Sequence, residues 1–400
     1  MNIGEVSRFS LPTEIIYSVN SVSLLGSETK RLGGKKAIFL CDPNISASGI
    51  LENAYHSLSS SGITFIMFDK VPTDPTNEDI DGIVRIAKRE GCDCVIGAGG
   101  GSVIVATKAT ALVTNNEGPT IHYVGGEDKY PNPSLLCIII PTTAGSGTEV
   151  SKGTTITDSK TKQKVRIMGY RHAARLAILD PMLLMTVPMF QAIASGVDAL
   201  THAIEAYLSE LANPLTNSIA LKAIEMIMNN FYRSVFTIEL EAKGQMLLGS
   251  TMANVAVSNT DVGLSHVLNG LLTYIYKVRG LPPMLYGFIH AVMLPPTLEF
   301  NLLGCENKVI PLAHAMGVIT QEKTVSEIIR GIIEKLDNLL TDLDAPRKLV
   351  WRDLSAEDII ETGIKIGRLS LDQAKQGTTV IRKYGKEDLI AILRRVLPEG

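Results

Sequence analysis

A chain of 400 residues, 45% hydrophobic and 20% charged with a formal net charge of -3, is ordinary globular composition, long enough for two domains with their own cores. The near-neutral balance, with no basic block, leaves no electrostatic case for nucleic acid or anionic lipid as a partner. No apolar run reaches the length of a membrane span: the strongest, LLCIII at 135–140, stops at Pro141.

The N-terminal MNIGEVSRFSLPTEI lacks the charged start and apolar core of a signal peptide, and the five cysteines are an odd count in mostly apolar settings. Cys92 and Cys94 form one C-x-C with no second pair, which argues against a zinc knuckle. Reduced thiols in a cytoplasmic protein are the expectation.

In chain order, KKAIFLCD (35–42), GITFIMFD (62–69), CDCVIGAGGG (92–101), SLLCIIIP (134–141) and RLAILDP (175–181) are compact apolar runs of strand length. ISASGILENAYHSLSSSG and TNEDIDGIVRIAKREG between them carry apolar residues at helical spacing and glycine near their ends. Alternating strand and helix predicts an α/β domain with a Rossmann-like parallel sheet over 1–188. GTTITDSKTKQKVRIMG (153–169), two alternating arms around a polar centre, reads as a β-hairpin inserted into that sheet. From about Gln191 onward the patterns are helical, which makes 189–400 an all-α domain.

Two turns in the first half carry chemistry. Gly99, Gly100, Gly101 and Ser102 follow a strand and open a helix, and such glycines bring backbone N–H groups and a helix N-terminus up to a phosphate. The spacing is not G-x-G-x-x-G, so this is no ordinary Rossmann fingerprint. PTTAGSGTEVS (141–151) offers Thr142, Thr143, Ser146 and Thr148, hydroxyls suited either to ribose and phosphate oxygens or to capping a helix. Asp42, at a strand end, is placed to accept from ribose hydroxyls and repel a 2′-phosphate, or to be a plain turn aspartate before Pro43.

In the second half VDALTHAIEAY (197–207) sets Asp198 and His202 four apart, on one face of a helix. By themselves they read more readily as a buried polar pair than as half of a metal site.

Taken together, GGGSVIVATK (99–108), PTTAGSGTEVS (141–151), DPMLLMTVP (180–188), DALTHAIEA (198–206), GLSHVLNG (263–270) and YGFIHAVMLP (286–295) resemble the iron-containing (group III) alcohol dehydrogenases. The resemblance covers nearly the whole chain and implies the same two-part architecture, like that of dehydroquinate synthase. It implies that Gly99–Ser102 hold the pyrophosphate of NAD(H), that Thr142, Thr143, Ser146 and Thr148 line the nicotinamide side, and that Lys164 binds cofactor. It further implies that Asp42 favours NAD and that Asp198, His202 and His266 hold Fe²⁺ or Zn²⁺. A homodimer or larger homo-oligomer acting on a small alcohol or aldehyde follows from the same resemblance.

Three positions depart from the family pattern, all near the chemistry. Tyr286 stands where the fourth metal ligand belongs, Gly270 replaces a second histidine four after His266, and Val105 replaces the aspartate of the glycine-rich turn. The stretch between His266 and Tyr286 is also extended, by YIYKVRGLPP. His290 stands at the family's asparagine, one helical turn after Tyr286, where it can replace the missing ligand, supply a proton route, or do neither. His56, His122, His172 and His314 match no motif.

The function expected is an NAD(H)-dependent alcohol dehydrogenase or aldehyde reductase that polarises the substrate oxygen with a divalent metal. Two other readings stand beside it. One is a metal-independent dehydrogenase with Tyr286 or His290 as proton donor, and the other a non-catalytic nucleotide-binding relative.

Overall fold

The computed structural model describes residues 8–373, 376 and 381–398. One compact unit comprises Ser10–Pro188 with Ile238–Thr251, and the other comprises Met189–Thr237 with the described residues from Met252 onward.

The first unit is built on a parallel sheet of β1 (Glu14–Tyr17), β2 (Lys36–Leu40), β3 (Thr64–Phe68), β4 (Cys94–Gly99), β5 (Leu136–Pro141) and β8 (Leu176–Leu179), ordered β1-β8-β5-β4-β2-β3. Side chains of β2 alternate between two buried clusters. Ala37 and Phe39 pack with Ile96, Ile138 and Ile178, while Ile38 and Leu40 pack with Val95, Cys137 and Ile139. A strand buried on both faces has no polar side to show, which is why these strands read as continuous apolar runs.

β1 was not among the runs picked out from the sequence. It is a four-residue edge strand whose burial pattern runs from exposed to half-buried and back, too short and too open to carry an apolar signature. β6 (Gly153–Thr157) and β7 (Lys164–Met168) do form the hairpin expected at 153–169. They pair antiparallel as a separate two-stranded sheet, however, rather than joining the parallel one.

Helices α1 (Leu25–Arg31), α2 (Pro43–Ala47), α3 (Glu52–Ser60), α4 (Asn77–Glu90) and α5 (Gly101–Thr114) connect the strands. The helical pattern over 45–62 is two helices, not one, because Gly49 turns left-handed at φ +74 between them. α4 starts and stops on its own residues: Thr76 and Asp79 form a reciprocal cap, and Gly91 closes the far end at φ +65.

From β2 the chain steps outward to β3, then returns past β2 to β4, β5 and β8. The order therefore reverses between β2 and β4, and ligands of open α/β sheets bind beyond the carboxyl ends of strands at such a point. Asp42 follows β2, Gly99–Ser102 end β4, and Thr142–Thr148 follow β5. All three segments thus lie at one edge of three neighbouring strands.

After β8, no strand occurs among the described residues. The helices are α6 (Met189–Leu208), α7 (Pro214–Phe236), α8 (Leu240–Ser258), α9 (Leu264–Arg279), α10 (Tyr286–Leu302), α11 (Val309–Ala315), α12 (Val325–Asp342), α13 (Ala356–Lys365) and α14 (Lys386–Arg394). The first part of α8 counts with the α/β unit, where Thr251 Oγ1 donates to the buried Glu149 at 2.7 Å. The added stretch YIYKVRGLPP lengthens α9 and is tied down: Gly280 ends the helix at φ +65, and Trp351 Nε1 donates to Pro282 O at 2.9 Å.

α6 and α10 touch backbone to backbone. A Cβ at Gly287 would lie 1.8 Å from the carbonyl oxygen of Ala194, so only glycine permits the crossing. Asn269 Nδ2 donates to Tyr286 O at 2.8 Å and holds the start of α10 against α9. These contacts gather α6, α9 and α10 around one spot.

Candidate active site

In the α/β unit the glycine turn and the hydroxyl turn face each other. Thr142 N–H donates to Gly99 O at 3.1 Å, and Cβ atoms at Gly100 and Gly101 would meet the hydroxyls of Thr143 and Ser146 at 3.4 and 3.3 Å. Gly99 has no room for a side chain, since its Cβ would lie 2.5 Å from Val103. Thr142 is buried, and its hydroxyl finds no protein partner.

Lys164 pairs with Asp74, whose backbone N–H donates to Ser102 Oγ at 3.1 Å. The hairpin lysine is therefore linked to the glycine turn. Asp42 caps α2 through Oδ1, which accepts from Asn44 N at 2.9 Å and Ile45 N at 3.1 Å. Asp42, weighed from its sequence as a ribose acceptor or a plain turn aspartate before Pro43, is thus the N-cap of a short helix in the fold.

Lys108, inside the matched motif but given no role from the sequence, is fully buried. Its Nζ donates to Thr148 O, Ser151 O, Ser151 Oγ and Gly153 O at 2.7–3.1 Å. Burial pushes its pKa down to about 7, while four oxygen acceptors favour the ammonium. It is the clasp of the hydroxyl turn. Val105, at the family's aspartate position, packs on the apolar cluster of Ile80, Val84 and Leu112.

In the helical unit α6 supplies Asp198, His202 and Glu205; α9 supplies Ser265 and His266; α10 supplies Tyr286 and His290. Asp198 Oδ1 lies 3.8 Å from His266 Nε2, 3.6 Å from His290 Nε2 and 4.0 Å from His202 Nδ1. All four of these atoms are buried without a hydrogen-bond partner. Buried polar atoms are nearly always satisfied, so four orphans aimed at one another indicate a missing group. Ligand atoms of a tetrahedral site with bonds of about 2.1 Å lie about 3.4 Å apart, close to the spacing seen. One carboxylate with imidazoles is a donor set for a borderline divalent ion such as Fe²⁺ or Zn²⁺.

The tightest set is Asp198, His266 and His290, with ligand atoms all within 4.8 Å of one another. His202, expected as a ligand, lies beside that set with its ring 4.5 Å from the His266 ring. His290, weighed from sequence as ligand, proton route or bystander, is in it.

The outer nitrogens of both histidines in the set are engaged. His266 Nδ1–H donates to Glu205 Oε2 at 2.6 Å, and His290 Nδ1 meets Ser265 Oγ at 2.9 Å. Engaging Nδ1 in this way turns Nε2 inward as a lone pair. Glu205 also accepts from Gly263 N at 2.8 Å and Ser265 N at 2.6 Å, at the start of α9. Sequence reading gave Glu205 and Ser265 no role. Glu205 had a visible signal, falling three after His202 on the same helix face.

Burial pushes His202 down to about 4 and His290 well below the ordinary imidazole range, so both are neutral with lone pairs available. Burial alone would lower His266 too, but the charge and hydrogen bond of Glu205 outweigh it and leave His266 raised.

Tyr286, 39% exposed, opens α10 with its ring 5.0 Å from that of His290 and 6.2 Å from that of His266. It borders the cluster without supplying one of the orphaned atoms.

The family model described as iron-containing alcohol dehydrogenase matches residues 12–181, and that described as Fe-containing alcohol dehydrogenase family, C-terminal, matches 192–397. The 1,3-propanediol dehydrogenase of Citrobacter freundii is 31% identical over 353 residues, 88% of this chain and 89% of that protein. The NAD-dependent methanol dehydrogenase of Bacillus methanolicus is 28% identical over 355 residues, covering 88% and 91%. A crystal structure of 1,3-propanediol oxidoreductase superposes with a TM-score of 0.89 at 29% identity, covering 98% of this chain and 99% of that one. Both halves are matched and the fold is shared throughout: the chain belongs to the iron-containing alcohol dehydrogenase family and is an oxidoreductase.

Proposed function

We propose that the protein is an NAD(H)-dependent alcohol dehydrogenase or aldehyde reductase whose Fe²⁺ or Zn²⁺ is held by Asp198, His266 and His290, with His202 beside them. The observation that carries this reading is the convergence of four buried, unpartnered nitrogen and oxygen atoms. A decayed, non-catalytic site would be expected to close over apolar or mutually paired groups, and this one keeps its lone pairs directed inward. When bound, the ion supplies Lewis acidity at the substrate oxygen, and the dinucleotide takes or gives the hydride.

The chain's own residues do the rest. Glu205 and Ser265 fix the two imidazoles, Gly99–Ser102 cradle the pyrophosphate with backbone N–H groups, and Thr142, Thr143, Ser146 and Thr148 take the nicotinamide side. Lys164 contributes through the chain that joins it to Ser102. Tyr286, partly exposed with its ring beside that of His290, would pass the alcohol proton to solvent through its hydroxyl. His290 is assigned to the metal rather than to proton transfer. A cytoplasmic, homo-oligomeric enzyme completes the proposal. Among the described residues no helix is long and apolar enough to cross a membrane.

The proposal predicts NADH oxidation with small aldehydes that is lost on chelation and restored by Fe²⁺ or Zn²⁺. Turnover untouched by exhaustive chelation would instead favour the metal-independent reading.

Two substitutions extend the test. Glu205→Gln turns an amide N–H₂ toward one of three donors and is expected to weaken metal binding about 10- to 100-fold, read by chelator competition. Asp42→Gly costs only about 0.3 kcal/mol of capping, so the variant stays folded. It should raise kcat/KM for NADPH relative to NADH about tenfold; an unchanged ratio would assign cofactor choice to another residue.

A further inference from the structure

Gly270 departs from the family pattern, and the space beside it is taken by a cation. A Cβ at Gly270 would lie 3.0 Å from Arg368 Nη1 and 3.8 Å from its Cζ. Gly270 is four residues after His266 on α9, so it sits on the same helix face one turn along. Arg368 also interacts electrostatically with Tyr286, whose ring borders those of His266 and His290. The guanidinium is thus placed from two sides: against the α9 face that carries one metal-site histidine, and beside the residue that opens α10.

The chain holds Arg368 there by backbone structure. After α13, Gly367 turns left-handed at φ +72, and the N–H groups of Arg368 and Leu369 both donate to Gly363 O, at 2.9 and 3.0 Å. Leu369 and Leu271 pack at Gly363, where a Cβ would meet them at 2.6 and 2.8 Å, which seats the turn on α9. Partial burial removes water from the guanidinium, and its planar fork matches carboxylate, sulfonate or phosphonate oxygens. Gly270 stands one helical turn, about 6 Å, along α9 from His266. A guanidinium against that face, one turn from a histidine that would hold the ion, suits a short molecule with an oxygen for one end and an anion for the other.

We propose that Arg368 binds the acidic group of the substrate, and that the enzyme's preferred substrates are short aldehydes or alcohols carrying a carboxylate, sulfonate or phosphonate at the far end. This assignment rests on the dehydrogenase reading above and adds the substrate class to it.

The test compares succinic semialdehyde with butanal, the same four-carbon skeleton with and without the carboxylate. The metal-loaded enzyme should favour succinic semialdehyde in kcat/KM by about 50-fold, the scale of a charge-assisted contact. Arg368→Met should collapse that ratio to within about threefold, and Arg368→Lys, which keeps the charge but not the fork, should fall between. A second arm needs no turnover: succinate binding to metal-loaded protein, by calorimetry, should weaken about tenfold or more in Arg368→Met. Near-equal use of the two aldehydes, or a ratio that survives Arg368→Met, overturns the assignment. Reduction of neither aldehyde would overturn the substrate assignment, and succinate binding that still depends on Arg368 would then mark an anion site separate from turnover.

Discussion

His290→Ala is expected to reduce bound metal from about one ion per chain to a small fraction and to lower kcat/KM about 10³-fold. Tyr286→Phe should keep the ion and lose mainly kcat. The contrast follows from geometry. His290 Nε2 lies 3.6 Å from Asp198 Oδ1 with its outer nitrogen held by Ser265, whereas Tyr286 sits at the rim with its ring 5.0 Å from the His290 ring. A phenol of pKa near 10 is in any case a poor ligand for such an ion. On the proposed assignment, the family ligand lost at position 286 would be replaced one helical turn later on the same helix. Metal analysis and steady-state kinetics on both variants check this, and equal metal loss in the two would show that Tyr286 is the ligand.

Gly287→Ala should be the most damaging single methyl in the helical unit, costing about 3 kcal/mol or more. Its Cβ would lie 1.8 Å from a backbone oxygen of α6, and a backbone atom cannot swing aside as a side chain can. The helices would have to part, carrying His290 away from Asp198, so metal affinity should fall together with stability. Thermal denaturation with and without metal checks it. A variant as stable as the parent would mean that α6 and α10 do not pack this tightly.

How much of this was legible in the sequence depended on where the information lies. Strands β2, β4, β5 and β8 announced themselves because burial on both faces leaves no polar position, while edge strand β1 lacks that constraint and left no mark. The pairing of Asp198 with His202 could be read from spacing alone, because both sit on one helix. His290 could be placed on the same face as Tyr286, but α10 is buried almost all round, so no apolar stripe tells which side faces the metal site. Glu205 could be placed on the His202 face by its spacing, but its role could not be read, because its partners Gly263, Ser265 and His266 come from another element. Arg368 could not be matched to Gly270 at all. The contact is made by a turn far along the chain, and only the fold brings the two together.

The most direct test of the central claim is elemental analysis of protein purified anaerobically and offered Fe²⁺ and Zn²⁺, with aldehyde reduction assayed on the same samples. The predicted result is about one ion per chain, with activity rising and falling with occupancy. Full activity in protein that binds no ion under any loading would contradict it. Asp198, His202, His266 and His290 would then be a buried polar cluster, and the chemistry would have to be sought at Tyr286.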